Sequence, residues 1–489
     1  MAASISLEND TKYDVVESEL HYINSKFISL NAEERKETNA FFYKFIPSFV
    51  NRMQDVDILF DSMFQSILYA GSYYEGLKIG KPDEYDLDLI FKLPINYDAL
   101  EITSSPEKPG YVRIRISDLE HRRLLKDQYW SERYKVMANW FDENKFFIPD
   151  KFRYWLQSVV QKTINRYTYD SDQWICYSTS GPAITLHVEK DDIEFSVDLV
   201  PVLQMQNRCP PSEICNIRKS KFLEEDFYEE NSEEEDSVEN KMLSWYVVPK
   251  PIKSGSNNTS GANLNWRLAF HDHEKKLISG NERLKPALRL LKKFRDSQNF
   301  AKIASYYLKT ICLWELKKAK NKRLWTSGSL SKVFVHILKA FSEAIEICEI
   351  QYYWQKEHNL LSDINRSTIV DMGYRLNKII NKIELDPTII PQFILSKEEY
   401  QRCKCENVYF SESRIQPYSP ITSISSSYRP SSPIRSTYSS IQPIVVQSET
   451  QSETQSQIPG WGQIALGLGL GLGAVGALVL LNRNRNRNN

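Results

Sequence analysis

The sequence predicts an α+β fold: a mixed strand-and-helix core flanked by helices, then a tether and an apolar C-terminal segment. Three observations carry this. Between residues 65 and 205, segments such as EYDLDLIF (84–91) and DDIEFSVDLVPVL (191–203) alternate with a period of two. Residues 11–60 and 264–395 instead repeat apolar side chains at three-to-four spacing. From residue 410 onward neither period survives.

The 489 residues have room for two or three domains, and the net charge of −1 gives no global basic signal. Any nucleic-acid face must therefore be a local patch. The seven cysteines make no CxxC pair, and Cys403-x-Cys405 is poorly spaced for zinc, which fits reduced cytosolic thiols. The polar N-terminus has no apolar stretch of the kind a signal peptide needs.

Taken in order, residues 1–60 are expected to form N-terminal helices, 61–262 the mixed core and 263–400 a helical C-terminal lobe. Within the core, KFRYWLQSVVQKTINRY reads as an amphipathic helix, and the acidic run at 223–239 as a solvated loop. Residues 410–459 are rich in Ser, Thr, Pro and Gln, a composition that predicts a disordered linker. Residues 461–481 carry no charge and are long enough for a transmembrane helix, followed by Arg483, Arg485 and Arg487. Glycine disfavours such a helix in water but is common in membrane spans. The expectation is a single-pass tail anchor in the mitochondrial outer membrane, with the remainder in the cytosol.

The chemistry begins at 84–91. Tyr85, Leu87, Leu89 and Phe91 form a core face, and Glu84, Asp86 and Asp88 line the other, with nothing basic beside them in the strand. Glu84 and Asp86 sit about 7 Å apart on one side, a repulsive arrangement unless a cation intervenes. In the later strand Ile193, Phe195, Val197 and Leu199 form the apolar face and leave Asp198 opposite. Three carboxylates on neighbouring strands make a hard-oxygen site suited to Mg²⁺ or Mn²⁺. Such metals can clamp the attacking hydroxyl and the leaving pyrophosphate of phosphoryl transfer. About a dozen residues earlier, Gly71 would let the backbone approach a phosphate, and the Ser72 hydroxyl could donate to it.

A Gly-Ser before an acid-x-acid strand, with a third acid on a later strand, resembles the signature of the DNA polymerase beta superfamily of nucleotidyltransferases. The stretch GSYYEGLKIGKPDEYDLDLIFKLP is similar, more narrowly, to the activation segment of the animal cyclic GMP-AMP synthase-like receptors. GPAITLHV with EFSVDL, then NWRLAFHDHEKKL, then KIASYYLKT agree with it in order. The resemblance implies that Glu84, Asp86 and Asp198 bind the metals and that Ser72 touches the donor triphosphate. It implies that Arg267 and Glu274 face the nucleotides, that Ser305 contacts triphosphate and that Tyr306 is a platform for a base. Lys285 is the nucleotide lysine it suggests in RLKPALRLLKK. Read without the family, Trp266, Leu268 and Phe270 alternate like a buried strand with Arg267 as its exposed partner. Tyr306 and Tyr307 read as core or rim aromatics. His271 and His273 form an HxH read as surface polar residues rather than a metal site.

One departure from the family's vertebrate DNA sensor matters. The interval HDHEKKLISGNERLKPALRLLKKFRD contains no cysteine, so no zinc is expected there. Insect-type relatives without that insertion are similar to double-stranded RNA sensors. The expected nucleic-acid contacts are Lys292, Lys293 and Arg295, and the cluster Lys317, Lys318, Lys320, Lys322 and Arg323. The implied function is an RNA-activated synthesis of a cyclic dinucleotide from ATP and GTP, read by a downstream cyclic-dinucleotide receptor in antiviral signalling, with a homodimer as a further expected partner. The alternatives are a catalytically silent, membrane-anchored adaptor of the same fold, and an enzyme adding nucleotides to RNA ends.

Overall fold

The computed structural model describes residues 11–30, 32–81, 83–167, 174–205, 244–250, 252, 262–319 and 322–412. Helix α1 (Ala32–Val56) places Phe42, Phe45, Ile46, Phe49 and Met53 on one stripe, each no more than 1% exposed. This stripe lies against α3 (Pro149–Tyr167) and the sheet; the intervening α2 (Gly71–Tyr74) is a single turn.

One sheet among the described residues has nine strands: β1 (Phe64–Ala70), β2 (Glu84–Phe91), β3 (Leu100–Ser104), β4 (Tyr111–Ile116), β5 (Trp174–Ser180), β6 (Ala183–Lys190), β7 (Ile193–Met205), β8 (Trp245–Val248) and β9 (Trp266–Ala269). Their order is β1-β2-β7-β8-β9-β4-β3, with β6 also on β7 and β5 on β6. The sheet branches because β7 is 13 residues long: its first part pairs antiparallel with β6 and its last part with β8. Along its other edge β7 runs parallel to β2, with Asp86 opposite Asp198. The two-faced reading of β2 holds. Tyr85, Leu87, Leu89 and Phe91 are each at most 1% exposed, and Tyr85 stacks on Phe42 at 4.0 Å.

After the sheet come α4 (His271–Ile278), α5 (Leu284–Ser297), α6 (Ser305–Lys318), α7 (Leu330–Glu346), α8 (Arg366–Leu385) and α9 (Lys397–Glu412). Three boundaries differ from the expected ones. β9 pairs with β8 and β4, so the sheet extends past residue 262 into the stretch assigned to the helical lobe. A hairpin, Gln351–Tyr352 with Gln355–Asn359, interrupts the helices. α9 continues past 400 into the first residues of the expected linker.

The N-terminal residues also divide their allegiance. Tyr13 donates to Glu384 of α8 at 2.6 Å, and Glu17 accepts from the backbone amides of Leu330 and Ser331 at the start of α7. They cover the helical lobe, whereas α1 covers the sheet. Among the described residues no helix is long and apolar enough to cross a membrane. The acidic run at 223–239, the linker beyond 412, the apolar segment 461–481 and Lys320 lie outside the described residues.

Candidate active site

β1 ends at Ala70, and the chain turns at Gly71 with φ +76°. A Cβ at Gly71 would lie 1.8 Å from Asp86 Oδ2. Glycine is required there by the carboxylate on the neighbouring strand, a closer constraint than the phosphate approach the sequence suggests. Ser72 follows in α2, half-buried.

Asp86 and Asp198 occupy facing positions on the parallel pair β2 and β7. Thr185 on β6 donates to Asp198 Oδ1 at 2.6 Å and fixes its orientation. Burial, and then the negative charges of Asp198, Asp88 and Glu84, push the Asp86 carboxyl up to about 6. Glu84 is turned outward, its side chain 72% exposed and paired with Lys78. Lys78 also lies 3.4 Å from Asp83, and His271 Nε2 lies 3.0 Å from Asp88 Oδ2. The acidic face therefore has basic neighbours, contrary to the reading from the strand alone, because they arrive from a preceding loop and a distant helix. Among the described residues no group of three or more His, Cys, Asp or Glu side chains is placed to hold a metal ion. The strands bring Asp86 and Asp198 together, and Glu84, at the start of β2, has its carboxylate directed elsewhere.

The residues expected to face nucleotides gather on the other side of Asp88. Arg267, Glu274 and Tyr306 line one cleft of about 240 Å³, together with Asp88 and His271. The Arg267 guanidinium lies over the Tyr306 ring at 5.3 Å. The Tyr306 hydroxyl donates to Glu274 Oε1 at 2.6 Å, and the Trp354 indole donates to the same oxygen at 3.0 Å. Lys309 Nζ lies 2.8 Å from Glu274 Oε2 and 2.7 Å from Glu75 Oε1. Burial alone would raise the Glu274 carboxyl, but Lys309 and these donors hold it down at about 2. Both Glu274 oxygens are thus engaged by protein groups. Ser305 accepts from Arg295 Nη1 at 2.9 Å at the start of α6. Lys285 is exposed, and its Cδ would be 3.9 Å from a Cβ at Gly76, beside the turn that follows α2.

Several expected surface residues are not at the surface. Lys292 is 5% exposed and donates to the Leu77 carbonyl at 2.7 Å; burial pulls its ammonium down to about 8. It follows Leu284 and Leu288 at four-residue spacing, on the buried stripe of α5. Lys293 is paired with Glu399 at 2.7 Å, and Arg295 with Asp296 at 2.6 Å. All three members of this first cluster are therefore engaged with protein groups. Lys317, Lys318, Lys322 and Arg323 are exposed. Lys318 pairs with Glu315 at 2.7 Å, and Lys317 lies 5.4 Å over the rings of Trp314 and Tyr353. His273 is 1% exposed against Phe270 and Trp354, and His271 faces Asp88; neither is a plain surface residue. Both histidines lie on α4, where residues two apart point in different directions, so they do not converge as an HxH pair on a strand would. Sequence reasoning missed Glu75, Asp88, His271, Lys309 and Trp354 as parts of the site. The signal available for Lys309 was a lone cation within an otherwise apolar helical stretch.

Comparison with known proteins identifies the two domains. Residues 73–280 match the model of the Mab-21 protein nucleotidyltransferase domain, and residues 283–378 that of the Mab-21 protein HhH/H2TH-like domain. A cyclic GMP-AMP synthase-like receptor of Microplitis demolitor is 32% identical over 78% of this chain and 68% of its own length. Receptors of the same name from Aethina tumida and Tribolium castaneum are 30% and 31% identical, over 80% and 79% of this chain and 94% of each relative. With the acid pair, the Gly-Ser turn and the two matched domains in place, the chain belongs to the cyclic GMP-AMP synthase-like receptor family and is a nucleotidyltransferase.

Proposed function

We propose that this nucleotidyltransferase joins ATP and GTP into a cyclic dinucleotide that acts as a second messenger in innate antiviral signalling. The observation that carries this reading is the placement of Asp86 opposite Asp198, with the Asp86 carboxylate seated against Gly71 of the Gly-Ser turn. Asp86, Asp198 and, once released from Lys78, Glu84 would hold Mg²⁺ or Mn²⁺. The donor set fits: all ligands are hard oxygens, and burial with their mutual repulsion already lifts Asp86 to about 6. A divalent cation bound there supplies neutralisation of the charge that develops on phosphoryl oxygens.

The chain's own residues supply the rest. Ser72 donates to the triphosphate. Tyr306 offers its ring to a base, with Arg267 above it. Asp198, oriented by Thr185, accepts the proton of the attacking 2′- or 3′-hydroxyl. That oxygen bonds to the α-phosphorus of the second nucleotide as the bond to pyrophosphate breaks, and a second round closes the ring. Activation is by double-stranded RNA at the exposed cations Lys317, Lys318, Lys322 and Arg323, joined by Lys320, with Lys285 as a nucleotide contact. The apolar segment 461–481 anchors the chain in the mitochondrial outer membrane with the catalytic part in the cytosol. A homodimer and a downstream cyclic-dinucleotide receptor complete the partners.

The test is incubation of the full chain with labelled ATP and GTP, Mg²⁺ or Mn²⁺, and double-stranded RNA or DNA. A phosphatase-resistant dinucleotide that requires one nucleic acid and disappears in Asp86→Ala is the expected result. A lengthened polymer would identify an RNA-end enzyme instead. Absence of any product across all conditions would replace synthesis with the adaptor reading.

A further inference from the structure

The cleft beside β2 holds a carboxylate for which phosphoryl transfer has no use. Asp88 lies two residues beyond Asp86 on the same face of β2, about 7 Å further along the strand. It is 6% exposed and lines the cleft with Arg267, His271 and Tyr306. Among the described residues its side chain's one hydrogen-bonding or ion-pairing partner is His271 Nε2, 3.0 Å from Oδ2. A carboxylate offers about four lone-pair positions, so Asp88 faces the cleft with accepting capacity left over. A buried acceptor in that state costs free energy until a donor reaches it. Part of the remaining wall suits a flat ring: Val200, Val248 and the Tyr306 face, with the Arg267 guanidinium 5.3 Å from that ring; Lys250 and Glu274 also line the cleft.

Resting on the nucleotidyltransferase reading above, we propose that Asp88 selects guanine in this cleft. Its carboxylate accepts from the N1–H and the exocyclic N2–H of the base, and His271 holds the carboxylate in place. Guanine presents those two donors side by side. Adenine presents the N1 lone pair beside its amino group, which would set an acceptor against a negative charge. Asp88 is thus a specificity-determining residue, and His271 a positioning residue. A site built to accept hydrogen bonds discriminates strongly against a base that lacks the donors, because its own acceptor is then left unpaired.

The test measures binding of the non-cleavable α,β-methylene analogues of GTP, inosine triphosphate and ATP to the full chain in Mg²⁺. Inosine lacks only the N2 amino group, so the first comparison needs no mutation. The analogue of GTP is expected to bind roughly ten- to hundredfold more tightly than that of inosine triphosphate. In Asp88→Asn that ratio falls to about one, and ATP binding improves, since an amide supplies one donor and one acceptor. His271→Gln is expected to reduce the ratio with its melting temperature unchanged. Equal binding of the GTP and inosine analogues by the unaltered chain would overturn the assignment, as would a ratio that survives Asp88→Asn. If Asp88→Asn does not fold, the unaltered chain decides alone. If none of the three analogues binds, the nucleotide reading itself falls, an outcome distinct from binding without selectivity.

Discussion

Gly71 and Asp86 constrain one another. With φ at +76° and a hypothetical Cβ 1.8 Å from Asp86 Oδ2, Gly71→Ala cannot be absorbed without moving the carboxylate or the turn. The backbone strain alone is about 1–3 kcal/mol. Displacing a reacting group by about 1 Å can cost on the order of a hundredfold in rate. Gly71→Ala should therefore leave a folded protein, with a lowered melting temperature, whose kcat is down at least a hundredfold. A kcat within a few-fold of the original would show that the turn does not position Asp86. Asp86 itself makes a prediction about pH. Burial and the surrounding acids raise its carboxyl to about 6 in the folded chain, whereas an unfolded chain releases that proton near pH 4. The folded state thus binds more protons between those values, and its stability falls as pH rises through 6. In chelator, thermal melts from pH 5 to 7.5 should show this decline, and Asp86→Asn should flatten it. Added Mg²⁺ should restore stability at pH 7.5 in the unaltered chain only. Glu84 is less committed, since its pair with Lys78 involves a side chain 72% exposed, and such pairs contribute about 1 kcal/mol or less.

Elements carry the information that single residues lack. β2 is legible in the sequence because acids alternating at period two with Tyr85, Leu87, Leu89 and Phe91 fit a strand with one buried face and fit no helical spacing. That Asp86 and Asp198 face each other is not legible, since the register of a parallel pair depends on a crossover of some hundred residues between them. Lys292 escapes the sequence for a related reason: in KKFRD the charges look solvated, but helix phase puts Lys292 beneath Leu288 and against the Leu77 carbonyl. Lys309 on α6 shows the consequence for stability. It joins Glu75, just after the Gly-Ser turn, to Glu274 on α4, with its own side chain 8% exposed. Removing one member of a buried ion network leaves the others uncompensated, at a cost of about 3–5 kcal/mol. Lys309→Met should therefore lower stability by roughly that amount in urea unfolding. Glu75→Gln with Glu274→Gln in the same chain should recover part of the loss. A single Lys309→Met with near-original stability would mean that the carboxylates find other partners or water.

At the scale of the whole molecule, charge decides where a polyanion can bind. The net charge of −1 provides no long-range attraction, so the proposed association with double-stranded RNA would depend on a local patch. In one of the two candidate patches Lys292 is turned inward, and Lys293 and Arg295 are paired with Glu399 and Asp296. The other candidate patch is exposed, with Lys317 and Lys318 at the end of α6 and Lys322 and Arg323 beyond it. Phosphate contacts release counterions, so each one steepens the fall of affinity with salt, and losing one lowers the slope of log K against log salt by about 1. Replacing Lys317, Lys318, Lys322 and Arg323 with alanine should lower that slope by about 3 to 4. The smaller figure follows if Lys318 stays with Glu315 in the complex. Affinity should fall at every RNA sequence alike, because backbone contacts read charge and shape. Binding of nucleotide analogues should be unchanged, since none of the four lines the Asp88 cleft. Survival of both the slope and the affinity after the four substitutions would remove this patch as the proposed RNA contact.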